Sequence, residues 1–238
     1  AYTSGAGLVR IYTPEPNRGI LQQLLPEAVV SAYTEYNEQE LEKLLAWADV
    51  VCIGCGLGKS RTSAKLLETV MKKCKVPCVV DADGINLLSC RRELLREAVM
   101  PVVLTPHMKE MAGLLGCSVL EMASGRFAKL LQFTGQYPAV CVLKDARTIV
   151  AERTKRMFVN TAGNQAMAKA GSGDVLSGVI TGLLSGGLPV YEGAVLGVYL
   201  HACGGDEAKE RLGSYSVFAE DLITGVGACM KEAEEKLG

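Results

Sequence analysis

Six short apolar runs punctuate the chain up to residue 143: Leu8–Tyr12, Ala28–Ala32, Asp49–Ile53, Cys78–Asp81, Val102–Leu104 and Val140–Leu143. Between them, Asn37–Ala48, Ser60–Lys73 and Glu121–Gly135 place apolar residues three and four apart and polar residues opposite, which predicts helices. Near-continuous apolar strands alternating with helices predict an α/β fold with a mostly parallel central sheet and helices on both faces. Thr148–Ala151 and Met157–Asn160, joined by Glu152–Arg156, predict a hairpin. Three helical patterns follow, Asp174–Ser185, Val190–Lys209 and Ser216–Leu237. No Pro/Ser-rich linker or repeat interrupts this order, so residues 1–238 are expected to form a single domain.

The helix after Asp174 carries Val175, Leu176, Val179, Ile180, Leu183 and Leu184 on one face. Ser177, Gly178, Thr181, Gly182 and Ser185 lie opposite. Such small residues let other backbone approach closely, so this helix is expected to be central rather than peripheral.

Composition narrows the function classes. Hydrophobic residues make up 49% and charged residues 21%, enough for a sizeable core. With 25 Lys+Arg against 26 Asp+Glu, the net charge of −1 gives no long-range pull on nucleic acid or acidic membranes. No apolar run approaches the ~18 residues that span a bilayer. No nucleic-acid or membrane partner and a cytoplasmic location are expected. Nine cysteines is an odd number, and Cys52, Cys78, Cys141 and Cys203 fall in apolar runs, which predicts reduced core thiols. Cys52 and Cys55 form a Cys-x-x-Cys, but Cys52 sits in a strand, whereas a redox motif places its first Cys at a helix start. No second Cys/His pair is near enough for zinc.

Candidate chemistry concentrates after the strands. Gly171-Ser172-Gly173-Asp174 opens the central helix. Glycines there let backbone N–H groups converge on an anion, which the helix dipole also favours. Asp174 reads either as a base on a hydroxyl attacking a phosphoryl group or as an ordinary helix cap. Gly54-Cys55-Gly56-Leu57-Gly58-Lys59 follows a strand but fits neither the P-loop nor the dinucleotide spacing. It reads as a backbone loop at the ligand-binding end of a parallel sheet. His107, in Thr105-Pro106-His107, also follows a strand end and reads as a contact residue, whereas His201 lies in an apolar helix and reads as structural. Asp81 and Asp83 read as a loop with a helix cap or as help for Mg²⁺. Lys144-Asp145-Ala146-Arg147-Thr148 joins two strands and offers two cations and a hydroxyl.

In this order, the segments resemble the ADP/ATP-dependent NAD(P)H-hydrate dehydratases of the ribokinase-like superfamily. The resemblance runs from about Gly5 to Asp221. Its anchors are Gly5-Ala6-Gly7-Leu8-Val9, Ile53–Gly58, Asp81-Ala82-Asp83, Thr105-Pro106-His107 with Glu110, Leu143-Lys144 and Gly171–Leu176. It implies a ribokinase-like three-layer sandwich. It also implies repair of NADH or NADPH hydrated at the nicotinamide 5,6 bond, in the 6S form. A nucleotide, ADP or ATP, phosphorylates the 6-hydroxyl, phosphate leaves, and reduced nicotinamide returns.

By this resemblance Asp174 is the base, and the N–H groups of Gly171, Ser172 and Gly173 form the anion hole. Gly56, His107 and Asp174 contact the substrate. Gly173 and the loop of Lys144, Asp145, Ala146, Arg147 and Thr148 hold the nucleotide, and Mg²⁺ bridges its phosphates; no protein metal ligand is assigned. A homotetramer is implied, as is an NAD(P)H-hydrate epimerase partner, fused or separate. The chain departs from the family pattern at Cys55, where Pro is usual, at Asp145, where Gly is usual, and near Gln165-Ala166. The family's first strand and Gly-Ala-rich helix, which precede the segment matching Gly5–Val9, are expected to be missing, leaving a sheet edge open. The competing readings are a ribokinase-like kinase of a thiazole or pyrimidine alcohol and a non-catalytic nucleotide-binding fragment.

Overall fold

The computed structural model describes residues 1–237. Strand β1 (Arg10–Pro14), helix α1 (Arg18–Leu24), strand β2 (Val29–Tyr33) and helix α2 (Glu38–Trp47) come first. Strand β3 (Val51–Ile53), helix α3 (Arg61–Lys73), strand β4 (Cys78–Val80), helices α4 (Ala82–Cys90) and α5 (Leu94–Glu97) and strand β5 (Val102–Leu104) follow. Next come helices α6 (Met108–Leu115), α7 (Val119–Ser124) and α8 (Arg126–Gln136) and strands β6 (Ala139–Leu143), β7 (Ile149–Ala151) and β8 (Met157–Val159). Helices α9 (Ser172–Ser185), α10 (Val190–Leu212) and α11 (Ala219–Leu237) complete the order.

The main sheet has six strands in the order β3-β4-β5-β6-β7-β8. Its first four strands are parallel, and β6-β7-β8 form an antiparallel meander. Strand residues divide between two apolar clusters with a period of two. Cys78, Val80, Val102, Leu104, Cys141 and Leu143 face the side covered by α2 to α8. Val79, Val103, Val140 and Val142 face α9 and α10. This is the three-layer arrangement that the alternating pattern predicts.

Two expectations need correction. Strands β1 and β2 do not join the main sheet: they pair in parallel with each other and form a second, two-stranded sheet. An open cleft of about 740 Å³ separates the two sheets, with Arg10–Tyr12 of β1 and Val51–Ile53 of β3 among its walls. The helix expected over Glu121–Gly135 is two helices. Ser118 caps α7 through a reciprocal capping box with Glu121, and Gly125, at φ −127° and ψ 25°, breaks the chain before α8 begins. Elsewhere caps mark the starts that the pattern implies. Asn37 accepts the Glu40 N–H ahead of α2, and Ser60 accepts the Ser63 N–H ahead of α3.

Helix α9 is central, as its two-faced pattern requires. Leu176, Ile180 and Leu184 pack on the sheet. Val179 and Leu183 pack against Val226 of α11. On the small face, a Cβ at Gly182 would overlap Ser4 Oγ and the Ala1 carbonyl, so the turn Tyr2–Ser4 lies directly on the helix backbone.

Candidate active site

The four parallel strands deliver their following residues to one end of the sheet: Gly54 after β3, Asp81 after β4, Thr105 after β5 and Lys144 after β6. The first turn of α9 arrives at the same place. Lys144 Nζ lies 2.7 Å from Asp81 Oδ1, and Ser177 Oγ donates to Asp81 Oδ2 at 2.6 Å. The Ala82 N–H donates to Asp81 Oδ1, which makes Asp81 the cap of α4. Asp81 is 1% exposed, so three donors offset the cost of burying its charge. Ser177, which the pattern placed on the small face, is thus the clasp between the helix and the sheet end.

Gly54 makes this convergence possible. Its φ is +127°, and a Cβ there would overlap the Asp81 carbonyl oxygen. The β3 loop can therefore press flat on the start of α4. Asp81 and Asp83 do not form a pair for Mg²⁺: Asp83 turns away, accepting the Gly58 N–H at 3.0 Å with Lys59 Nζ 3.9 Å off. The acidic group that does meet Asp81 is Asp174. Oxygens of these two carboxylates and Cys55 Sγ all lie within 4.8 Å of one another. Asp174 is exposed, in the first turn of α9, where Gly171 (φ 87°) swings the chain into the helix. Gly173 lies against Lys144, whose Nζ is 3.3 Å from where a Cβ on residue 173 would stand.

Three expected contacts look different in the structure. Gly56 is exposed at the loop tip, with φ +64° and open space around it. The His107 ring is half exposed but caps α6: its Nδ1 accepts the N–H groups of Lys109 and Glu110, and Glu110 Oε2 accepts the His107 N–H. A nearby bridge pairs His107 with Lys144. The Lys144–Thr148 loop divides in role. Lys144 turns inward to Asp81, while Asp145 is paired with Arg126 at 2.8 Å, so the loop's acidic charge is compensated. Arg147 donates to the Thr161 carbonyl, and Thr148 Oγ1 to the Asp145 carbonyl. Sequence reasoning gave no site role to Ser177 or Arg126, and it named Glu110 as an anchor of the resemblance without its capping role, for which the Glu three residues after His107 was the available signal. His201 is buried, as expected, and its Nε2 lies 3.4 Å from Ser172 Oγ, so it packs behind the Gly171–Gly173 turn.

The donor set decides what cation fits. Asp81 is committed to Lys144, Ser177 and Ala82, and a thiol is a poor partner for a hard ion. The residues fit an Mg²⁺ carried on phosphate groups, with Asp174 as the available protein carboxylate, rather than an all-protein cage.

The model of the NAD(P)H-hydrate dehydratase family matches residues 1–226. The chain belongs to this family. It is 36% identical over 200 residues to the ADP-dependent (S)-NAD(P)H-hydrate dehydratase of Neisseria meningitidis, covering 82% of this chain and 68% of that protein. It is 36% identical over 245 residues to the bifunctional NAD(P)H-hydrate repair enzyme of Moorella thermoacetica, covering 100% of this chain and 46% of that protein. The chain therefore spans about half the length of several curated relatives it matches. The solved ADP/ATP-dependent NAD(P)H-hydrate dehydratase of Bacillus subtilis, co-crystallised with ATP/Mg²⁺, superposes with a TM-score of 0.82 at 26% identity, over 98% of this chain and 81% of that one. The fold is ribokinase-like.

Proposed function

We propose that the chain dehydrates the 6S hydrate of NADH or NADPH at the expense of ADP or ATP. The observation that carries this reading is the meeting of the exposed Asp174, the Gly171–Gly173 turn and the Lys144–Asp81 pair at one sheet end of a dehydratase-family member. The 6-hydroxyl of the hydrated nicotinamide lies at Asp174, which takes its proton as the oxygen attacks the terminal phosphoryl group. The N–H groups at the start of α9 and the Lys144 ammonium beside Gly173 face the charge that develops on that group. Holding the two reactants in line supplies much of the acceleration. Phosphate then leaves C6, a proton leaves C5, and the 5,6 double bond returns. An Mg²⁺ ion, when bound, would be held by the nucleotide phosphates and would supply neutralisation of their charge. Gly56 and His107 border the hydrated ring, and the Asp145–Thr148 hairpin tip borders the nucleotide. We further propose a cytoplasmic homotetramer supplied with the 6S hydrate by an epimerase, fused or separate. Among the described residues no helix is long and apolar enough to cross a membrane.

The test is turnover of hydrated NADH with ADP or ATP and Mg²⁺, followed by the returning absorbance of reduced nicotinamide and by released phosphate. Equal yields of NADH and phosphate are expected. A stable phosphorylated product without NADH would instead make the protein a small-molecule kinase. Asp174→Asn should lower turnover by about 10²–10⁴-fold while nucleotide still binds in calorimetry. An unchanged rate would remove Asp174 from the mechanism.

A further inference from the structure

Ser177 stands in the interior of α9, yet its hydroxyl does not act as a mid-helix serine ordinarily does. Such a hydroxyl usually bonds back to the carbonyl four residues earlier. Here that carbonyl, on Gly173, is 3.1 Å from Ser177 Oγ, but Asp81 Oδ2 is nearer, at 2.6 Å. A hydroxyl has one proton to give, and a charged acceptor at the shorter distance takes it. Ser177, Asp81 and Thr105 are all buried, and Thr105 Oγ1 lies 3.5 Å from Ser177 Oγ. The small face of α9 thus sends a polar contact into the sheet end, where an apolar side chain would pack without desolvating a charge.

A second observation points to the same carboxylate. Ala82, the residue after Asp81, has φ +45°. A residue with a Cβ adopts this left-handed backbone only at a cost. The Ala82 N–H donates to Asp81 Oδ1 at 2.8 Å. Strain of this kind persists where the surroundings over-determine it, and it gathers at working sites. Ala82 fixes the carboxylate at Oδ1 and Ser177 fixes it at Oδ2. The contact left to it is Lys144 Nζ, 2.7 Å from Oδ1. That ammonium is not sealed in with its partner: the Lys144 side chain is 20% exposed, against 1% for Asp81. It lies 3.3 Å from where a Cβ on Gly173 would stand, in the first turn of α9.

We propose that Ser177 is a positioning residue: it locks Asp81 in the orientation that holds the Lys144 ammonium against the Gly171–Gly173 turn, where the terminal phosphoryl group of the nucleotide binds. This role rests on the function proposed above. Ser177 acts through Asp81, because it is itself fully buried and touches no ligand. A lysine carries its charge on a flexible four-carbon stem, so the ammonium keeps one place only while its partner does. An oxygen of Asp174 lies within 4.8 Å of one of Asp81, so a loosened ammonium has a second carboxylate to swing toward. Loss of the Ser177 hydroxyl therefore weakens the hold on the transferring phosphoryl group and leaves the grip on the rest of the nucleotide and on the hydrated cofactor as it was.

The experiment compares the parent with Ser177→Ala and Ser177→Thr, each examined by circular dichroism and a thermal melt. In the hydrated-NADH assay with ADP and Mg²⁺, Ser177→Ala should lower kcat by about 10–100-fold, the weight of a hydrogen bond to a charged group, with the KM for hydrated NADH unchanged. Ser177→Thr keeps the hydroxyl and should restore most of the rate. Calorimetry gives a readout independent of turnover. The parent should bind ADP more tightly than AMP, and Ser177→Ala should lose most of that preference while binding AMP as the parent does. A parental kcat in Ser177→Ala, an unchanged preference for ADP, or equal losses for ADP and AMP overturns the proposal. A Ser177→Ala chain that does not fold also overturns it, in favour of a purely structural clasp. If the parent does not turn over hydrated NADH, the functional reading fails, and the comparison of ADP with AMP still decides whether Ser177 positions Lys144.

Discussion

Lys144 and Asp81, 63 residues apart, meet at 2.7 Å across two strand ends and tie the ammonium beside Gly173 to the buried cap of α4. The pair joins stability to chemistry in one contact. Asp81 is almost fully buried, while Lys144 is partly open toward the first turn of α9.

Removing one member of a buried pair costs more than the pair is worth, because the other charge is left uncompensated. Lys144→Met should lower stability by about 3–5 kcal/mol in urea denaturation. Replacing both, as Lys144→Met with Asp81→Asn, should recover a good part of that loss. An additive double variant would mean that the two residues are not coupled.

Gly54→Ala should be among the most damaging single-methyl additions in the chain. It combines a left-handed φ with overlap of the Asp81 carbonyl. A cost of at least ~3 kcal/mol is expected. Gly135 offers the contrast: it lies within α8 with nothing near its missing Cβ, so Gly135→Ala should stabilise by about 0.5–1 kcal/mol. Thermal melts of the two variants moving in the same direction would refute the steric argument.

His201 gives a pH signature. Burial, helped by the nearby Lys144 charge, pushes its pKa down to about 4, against the effect of its hydrogen bond with Ser172. The folded protein therefore keeps the ring neutral where the unfolded chain protonates it. Stability from this group is complete above the unfolded value near 6.5. It is lost as pH falls toward about 4, and the full loss is on the order of 3 kcal/mol. Below that both states are protonated and the slope ends. Denaturation midpoints from pH 7 to pH 4 should fall more steeply for the parent than for His201→Leu; parallel curves would show that His201 titrates normally.

The sheet and its ligand-binding end were legible because buried parallel strands carry a strong local signal. Val102–Leu104 is found with the bounds its apolar run suggests, and Asp174 and Lys144 fall where strand and helix ends place them. What the sequence hid was not local. Nothing around Asp81 announces Lys144 or Ser177 as its partners, since those contacts span 63 and 96 residues. Helix α6 was missed because it is only two turns long. Its cap is a histidine, a residue outside the usual Ser/Thr/Asp/Asn signal. The split between the two sheets was hidden because β1 has the same composition whether it pairs with β2 alone or with the main sheet.

The parallel part of the sheet also works as a ruler. Neighbouring strands stand about 4.8 Å apart, so the line from the end of β3 to the end of β6 measures roughly 14 Å. A ligand laid along that line meets one loop per interval: the Gly54–Gly58 loop, then Asp81, then Thr105–His107, then Lys144. The spacing between the strands is fixed by their backbone hydrogen bonds. The distance between the outermost loops therefore stays constant whatever side chains those loops carry, so sequence change at the sheet end alters chemistry without altering span.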